Sequence, residues 1–170
     1  MSLKRTLNIL FKRKDKEKEE ISVATVTPEV QQDDKQPDMI SFKPGFQLTE
    51  LPIVTLYQGD SNFNFLLDTG SNDSIIDSNI LSKIEHEMLD KESSLYGMEG
   101  NCQTVKRCNI SLSYGETDFP YEYLICDMKE AFGRIKKETG VILHGIIGSK
   151  FFNEYKYILD FESLVAYSKK

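Results

Sequence analysis

Apolar and polar positions recur along most of this chain in short runs rather than in long helical stripes. Leu51 to Tyr57 predicts a strand, with Pro52 tolerated only at its start. Gln58-Gly59-Asp60-Ser61-Asn62 reads as a turn and Phe63 to Leu67 as the returning strand, which makes a hairpin. Ser74 to Asp77 is a further short strand. Asp77 or Ser78 then caps an expected helix running to about Met88, with Ile80, Leu81 and Ile84 on one face. Leu95 to Asn101 holds two glycines in a strand-like setting and reads as a mobile hairpin tip.

From Val105 to Tyr114 side chains alternate, with Cys108, Ile110 and Leu112 on one face. Gly115 to Asp118 turns the chain into a strand from Phe119 to Cys126. Asp127 to Thr139 has helical spacing, with Met128, Ala131, Phe132 and Ile135 on one side and Gly140 as its stop. After Val141-Ile142-Leu143 and His144-Gly145-Ile146-Ile147-Gly148, a short helix is expected at 149–155. A closing hairpin from Tyr157 to Phe161 and from Leu164 to Tyr167 follows. No helix–strand alternation points to a parallel sheet, so the pattern predicts a mainly β domain, largely antiparallel, with two or three short helices.

The first 40 residues differ. Leu3, Leu7, Leu10 and Phe11 give residues 1–20 an amphipathic helical spacing followed by a Lys/Arg cluster. That pattern suits a weak membrane or partner contact, or simply a solvated tail. Residues 21–40 lack periodicity and read as a linker. The expected organisation is a basic tail and flexible linker over 1–40 and one folded domain over 41–170.

Composition narrows the function. The 170 residues carry 21 basic and 27 acidic side chains, a net charge of -6, so no basic surplus points to nucleic acid. Cys102, Cys108 and Cys126 are odd in number and lack a C-x-x-C pair, which argues for reduced thiols rather than a disulfide frame or zinc site. His86 and His144 lie too far apart in sequence for a common metal spacing. No cofactor and no metal are expected. No stretch reaches the roughly 20 apolar residues of a membrane span, and Leu7 to Phe11 is too short for a signal peptide. The cytoplasm is the default expectation.

The chemistry centres on Phe65-Leu66-Leu67-Asp68-Thr69-Gly70-Ser71, where three large apolar residues deliver one carboxylate into a tight turn. An isolated carboxylate buried there would be costly, so it needs hydrogen-bond donors or a shared proton. Asp-x-Gly-Ser after an apolar strand also occurs in the phosphate loop of actin-like and sugar-kinase folds, but those need two α/β domains. A haloacid-type phosphotransferase would need a second Asp where Gly70 stands.

Taken in order, four features resemble the single-lobe, retropepsin-like aspartic proteases: the hairpin leading into Leu66 to Ser71, the glycine-containing segment 95–101 about 30 residues on, Ile146-Ile147-Gly148, and the closing helix and hairpin. The resemblance covers about residues 48–168. It implies the retropepsin-like acid protease fold, one pepsin-type lobe. It also implies an aspartic endopeptidase that hydrolyses an extended peptide or protein substrate.

Two carboxyls sharing a proton would activate one water. Since Asp-Thr-Gly occurs once, the second carboxyl must come from a twin chain in a homodimer. The implied catalytic loop is Asp68, Thr69 and Gly70. Thr69 would lock the two loops across the axis, and the Gly70 N–H would approach the carboxylate. Ser71 would donate to the outer carboxylate oxygen. Tyr96, Gly97, Met98, Glu99 and Gly100 would form a flap over substrate. Ile146 and Ile147 would support the loop, and Gly148 would allow close approach. The helical stretch at 127–139 is longer than in the compact viral enzymes. A non-catalytic dimerisation or peptide-binding module on the same fold is the competing expectation.

Overall fold

Leu56 pairs with Phe63 and Val54 with Phe65 across the first hairpin, β2 (Ile53–Gln58) and β3 (Ser61–Leu67), joined at Gly59-Asp60. The structure, a computed structural model, describes residues 39–96 and 102–169, without the side chains of residues 95, 96, 102 and 103. The tail, most of the linker and residues 97–101 of the hairpin tip expected at 95–101 lie outside the described residues. The described part belongs to one unit, Lys35–Lys170.

Before the hairpin come β1 (Met39–Ser41) and α1 (Lys43–Thr49). After it come β4 (Ile75–Asp77), a 3-10 helix (Ser78–Lys83), β5 (Glu87–Tyr96), β6 (Cys102–Tyr114) and β7 (Thr117–Cys126). The chain ends with α2 (Lys129–Thr139), β8 (Gly145–Ile147), α3 (Ser149–Tyr155), β9 (Tyr157–Asp160) and β10 (Val165–Ser168). The fold is mainly β with short helices. Among the described residues no helix is long and apolar enough to cross a membrane.

Strands run in the order β2-β3-β8-β4-β7-β6-β5, and a pairing of Tyr57 with Ser113 joins β2 to β6. Six strands thereby close into a barrel, with β5 extending the β6 hairpin beyond it. A separate sheet holds β1, β10 and β9. Most pairs are antiparallel, but β3–β8 and β4–β7 are parallel.

Strand alternation sorts side chains onto two faces. Phe63, Phe65, Leu67, Ile76, Cys108, Ile110, Leu112, Phe119, Tyr123 and Ile147 fill the larger core. Their strand neighbours Ile75, Val105, Leu124, Cys126 and Ile146 point the other way and form a second cluster with Phe132 of α2 and Leu143. Phe119 and Tyr121 of β7 stack their rings on Phe151 and Tyr155 of α3, which anchors α3.

One expectation needs correction, and one element has no counterpart in the pattern. The helix expected to reach Met88 stops at Lys83 as a 3-10 turn, and Ile84 is extended with its side chain buried. Pairing with β6 draws the chain into β5 at Glu87. The pattern also gave no sign of α1, which starts with Pro44 near its N-terminus and packs against β2, where Gly45 lies under Ile53.

Candidate active site

Asp68 leaves the sheet at the end of β3. Its N–H still donates to the Ile147 carbonyl at 3.0 Å, so the pleat carries it onto the face of Leu66, opposite Phe65 and Leu67. One carboxylate oxygen, Oδ1, accepts the Gly70 N–H at 2.9 Å. The Asp68 carbonyl accepts the Ser71 N–H at 3.2 Å, which closes the turn. Asp68 is half-buried, while Thr69 and Gly70 are exposed. A carboxylate held in this way is fixed in place yet open to a reacting partner.

Ser71 does something other than expected. Its hydroxyl donates to the Asp73 carbonyl at 2.8 Å rather than to Asp68. The turn runs on past Ser71, and Asp73 offers the nearer acceptor. Tyr96 lies in β5 with its side chain outside the described part, and Gly97, Met98, Glu99 and Gly100 lie outside the described residues altogether.

The loop is fastened from a segment more than 70 residues away in sequence. Leu66 and Leu67 pair with Ile146 and Ile147 of β8. The Ser149 N–H donates to the Ser71 carbonyl at 2.8 Å, and the Lys150 N–H to the Asn72 carbonyl at 3.1 Å. The Gly148 N–H donates to the buried Ser74 hydroxyl at 3.1 Å. A Cβ on Gly148 would stand 2.5 Å from the Asp73 carbonyl oxygen, closer than real Cβ contacts come, so glycine is required by approach rather than by dihedral angle. Gly145, which the sequence reading passed over, is squeezed likewise between the Phe65 ring and the Ile75 carbonyl.

Asp77 sits at the opposite end of β8. It is only 7% exposed, and Oδ1 accepts the Asn79 N–H at 3.2 Å, the Asn79 Nδ2 at 2.8 Å and the Met128 N–H at 3.2 Å. These bonds cap the 3-10 helix and the entry to α2. His144 is structural as well: Nδ1 accepts the Asn64 N–H at 2.8 Å, which leaves the neutral ring's proton on Nε2, and burial holds its pKa below the ordinary value.

The charged side chains gather beyond the loop. Arg107 of β6 donates to Ser93 and Glu122 and lies 3.6 Å from Asp73. Lys91 also pairs with Glu122, and Lys150 with Asp73 at 2.8 Å. Burial alone would raise the Glu122 pKa, but the hydrogen bonds from Lys91 and Arg107 outweigh it and the net shift is downward. Asp73, Arg107, Glu122 and Lys150 line a cleft of about 700 Å³ with Tyr121 and Glu154. Asp73 brings the loop into the cleft, but Asp68 does not line it. Tyr121 is pushed up to about 12 by burial and by the carboxylates around it, Glu154 first.

Burial raises the thiols of Cys108 and Cys126 to about 11, which keeps them protonated and poor nucleophiles. Among the described residues no group of His, Cys, Asp and Glu is arranged to hold a metal ion. No protein-family model matches the chain, and neither does any curated protein.

Proposed function

We propose that this chain is an aspartic endopeptidase of the retropepsin-like, single-lobe type that works as a homodimer. The observation that carries the reading is the convergence of two distant motifs. The Asp68-Thr69-Gly70-Ser71 turn is hung between β3 and β8, and the Ile146-Ile147-Gly148 run is stitched to it by backbone bonds and a close glycine contact. A half-exposed carboxylate on so fixed a turn suits acid–base work more than structural work. Asp68 of one chain would face its symmetry mate with a water between them. One carboxylate would take the proton of that water while the other, protonated, polarises the scissile carbonyl. Thr69 would then join the two turns, and the β5–β6 hairpin would close over an extended substrate.

The test is incubation of the full chain with a diverse peptide library, with and without a statine-type inhibitor, beside an Asp68→Asn control. Cleavage that disappears with the inhibitor and in the variant supports the reading. Sedimentation tests the shared site: a species that stays monomeric at high concentration, at acidic and neutral pH, sinks it. If Asp68→Asn keeps full biological function, a non-catalytic binding module becomes the better account.

A further inference from the structure

We infer that Arg107 is a positioning residue, which fixes the β5–β6 hairpin to the loop that carries Asp68 and so sets how substrate is held. The inference rests on the protease reading for its functional consequence, though not for its structural one.

Strand alternation puts Arg107 on the face of β6 opposite Cys108 and Ile110, beside the loop and not in the barrel. There its guanidinium points to three elements: Nε to the Ser93 hydroxyl of β5, Nη1 to Glu122 of β7, and Nη2 to Asp73 at 3.6 Å. The side chain is 19% exposed, so these charges are shielded from much of the solvent. A planar fork with donors in several directions suits this junction, whereas an ammonium would act as a point charge. The register shift between Leu89 and Glu92 belongs to the same design. Arg107 pairs with Leu89 and Lys106 with Glu92, which leaves Asp90 and Lys91 without opposite partners. A bulge of this kind re-aims side chains, and Lys91 reaches Glu122 from it.

On the other side, Asp73 cannot drift. Its carboxylate holds Lys150, its carbonyl accepts the Ser71 hydroxyl, and Gly148 packs against its backbone. Hairpin and loop therefore meet where the Arg107 guanidinium faces Asp73, five residues along the chain from Asp68. Losing it should loosen the hairpin over the site without touching the reacting groups.

The test compares wild type, Arg107→Met and Arg107→Lys as full chains. In Arg107→Met, amide exchange should rise by about tenfold both in residues 69–74 and in residues 87–94 of the folded protein. Peptide cleavage should show KM raised about tenfold with kcat within about twofold, because a loosened hairpin weakens ground state and transition state alike. Arg107→Lys should fall between. A merely structural role would instead lower the active fraction and the apparent kcat at unchanged KM. Unchanged exchange, or a rise confined to one segment, overturns the coupling. Unchanged KM overturns its functional consequence. If wild type shows no Asp68-dependent cleavage, the protease reading fails by itself and the exchange result alone decides the role of Arg107.

Discussion

Two corners of the barrel begin from nearly the same sequence and end differently. Leu66-Leu67-Asp68-Thr69-Gly70 closes β3, and Ile75-Ile76-Asp77-Ser78-Asn79 closes β4. Each aspartate donates its N–H to a carbonyl flanking or ending β8, Asp68 to Ile147 and Asp77 to His144. Each carboxylate accepts the N–H two residues on. The local Asx-type bond therefore does not mark function, because both corners have it. What differs is the rest of the shell. Asn79 folds its amide back onto Asp77 and Met128 adds a third donor, so that carboxylate is buried and satisfied. Gly70 has no side chain to fold back, and the turn after Asp68 lies open. Of the two carboxylates, Asp68 is the one its neighbours leave less saturated.

The sharpest way to break this comparison is to remove each acid. Asp68→Asn keeps the Oδ1 acceptor for the Gly70 N–H, so folding stability should stay within about 0.5 kcal/mol. Peptide cleavage should nevertheless drop by about a thousandfold or more. Asp77→Ala strips the acceptor from three donors and should cost about 2–4 kcal/mol in chemical denaturation. Equal stability losses at the two positions would erase the distinction between an open corner and a saturated one.

A smaller effect is expected at the contact that shapes the open corner. Gly148→Ala forces a Cβ against the Asp73 carbonyl while neighbouring backbone bonds hold both sides in place. It should cost about 1–3 kcal/mol, as overpacking does. Activity should fall further than stability accounts for, because a displacement of ~1 Å at a reacting group can cost about a hundredfold. Gly133→Ala is the control: it lies in α2 with nothing near its missing Cβ, and should gain about 0.5–1 kcal/mol. If both variants behave alike, the close approach at Gly148 is not what shapes the loop.

The hairpins and the two faces of β6 are legible in the sequence because period-two alternation is a local signal. So is the delivery of Asp68 by an apolar strand. The 3-10 turn reads in sequence as a longer helix because Ile80, Leu81 and Ile84 satisfy a helical face equally well, and only pairing with β6 decides against it. Gly145 has no signal in the local sequence because its reason is the Phe65 ring, supplied from 80 residues earlier in the chain. The Arg107 junction is also assembled from distant strands and has no pattern of its own. Ser71 illustrates the limit most directly: the residue type allowed a bond to Asp68, and the path of the turn chose the Asp73 carbonyl.

The mildest prediction concerns His144, which joins the Asp77 corner to the middle of β3. Its backbone carbonyl accepts the Asp77 N–H, and its ring accepts the Asn64 N–H of β3. A proton on Nδ1 would turn an acceptor into a donor facing another donor. The charged groups acting on the ring are Asp77, which favours its protonation, and Lys83, which opposes it, but burial is the larger influence and the folded pKa lies below the ordinary 6.5. The sign follows from linkage. At high pH both folded and unfolded chains carry a neutral ring, and His144 adds no pH dependence. As pH falls below about 6.5 the unfolded chain binds the proton first, so this part of the stability is lost progressively until the folded ring also protonates. Urea midpoints measured from about pH 8 down to pH 5 should decline for wild type, and less steeply for His144→Gln, whose side chain cannot titrate. Parallel slopes would mean that burial between β3 and β8 does not hold the ring's protonation down.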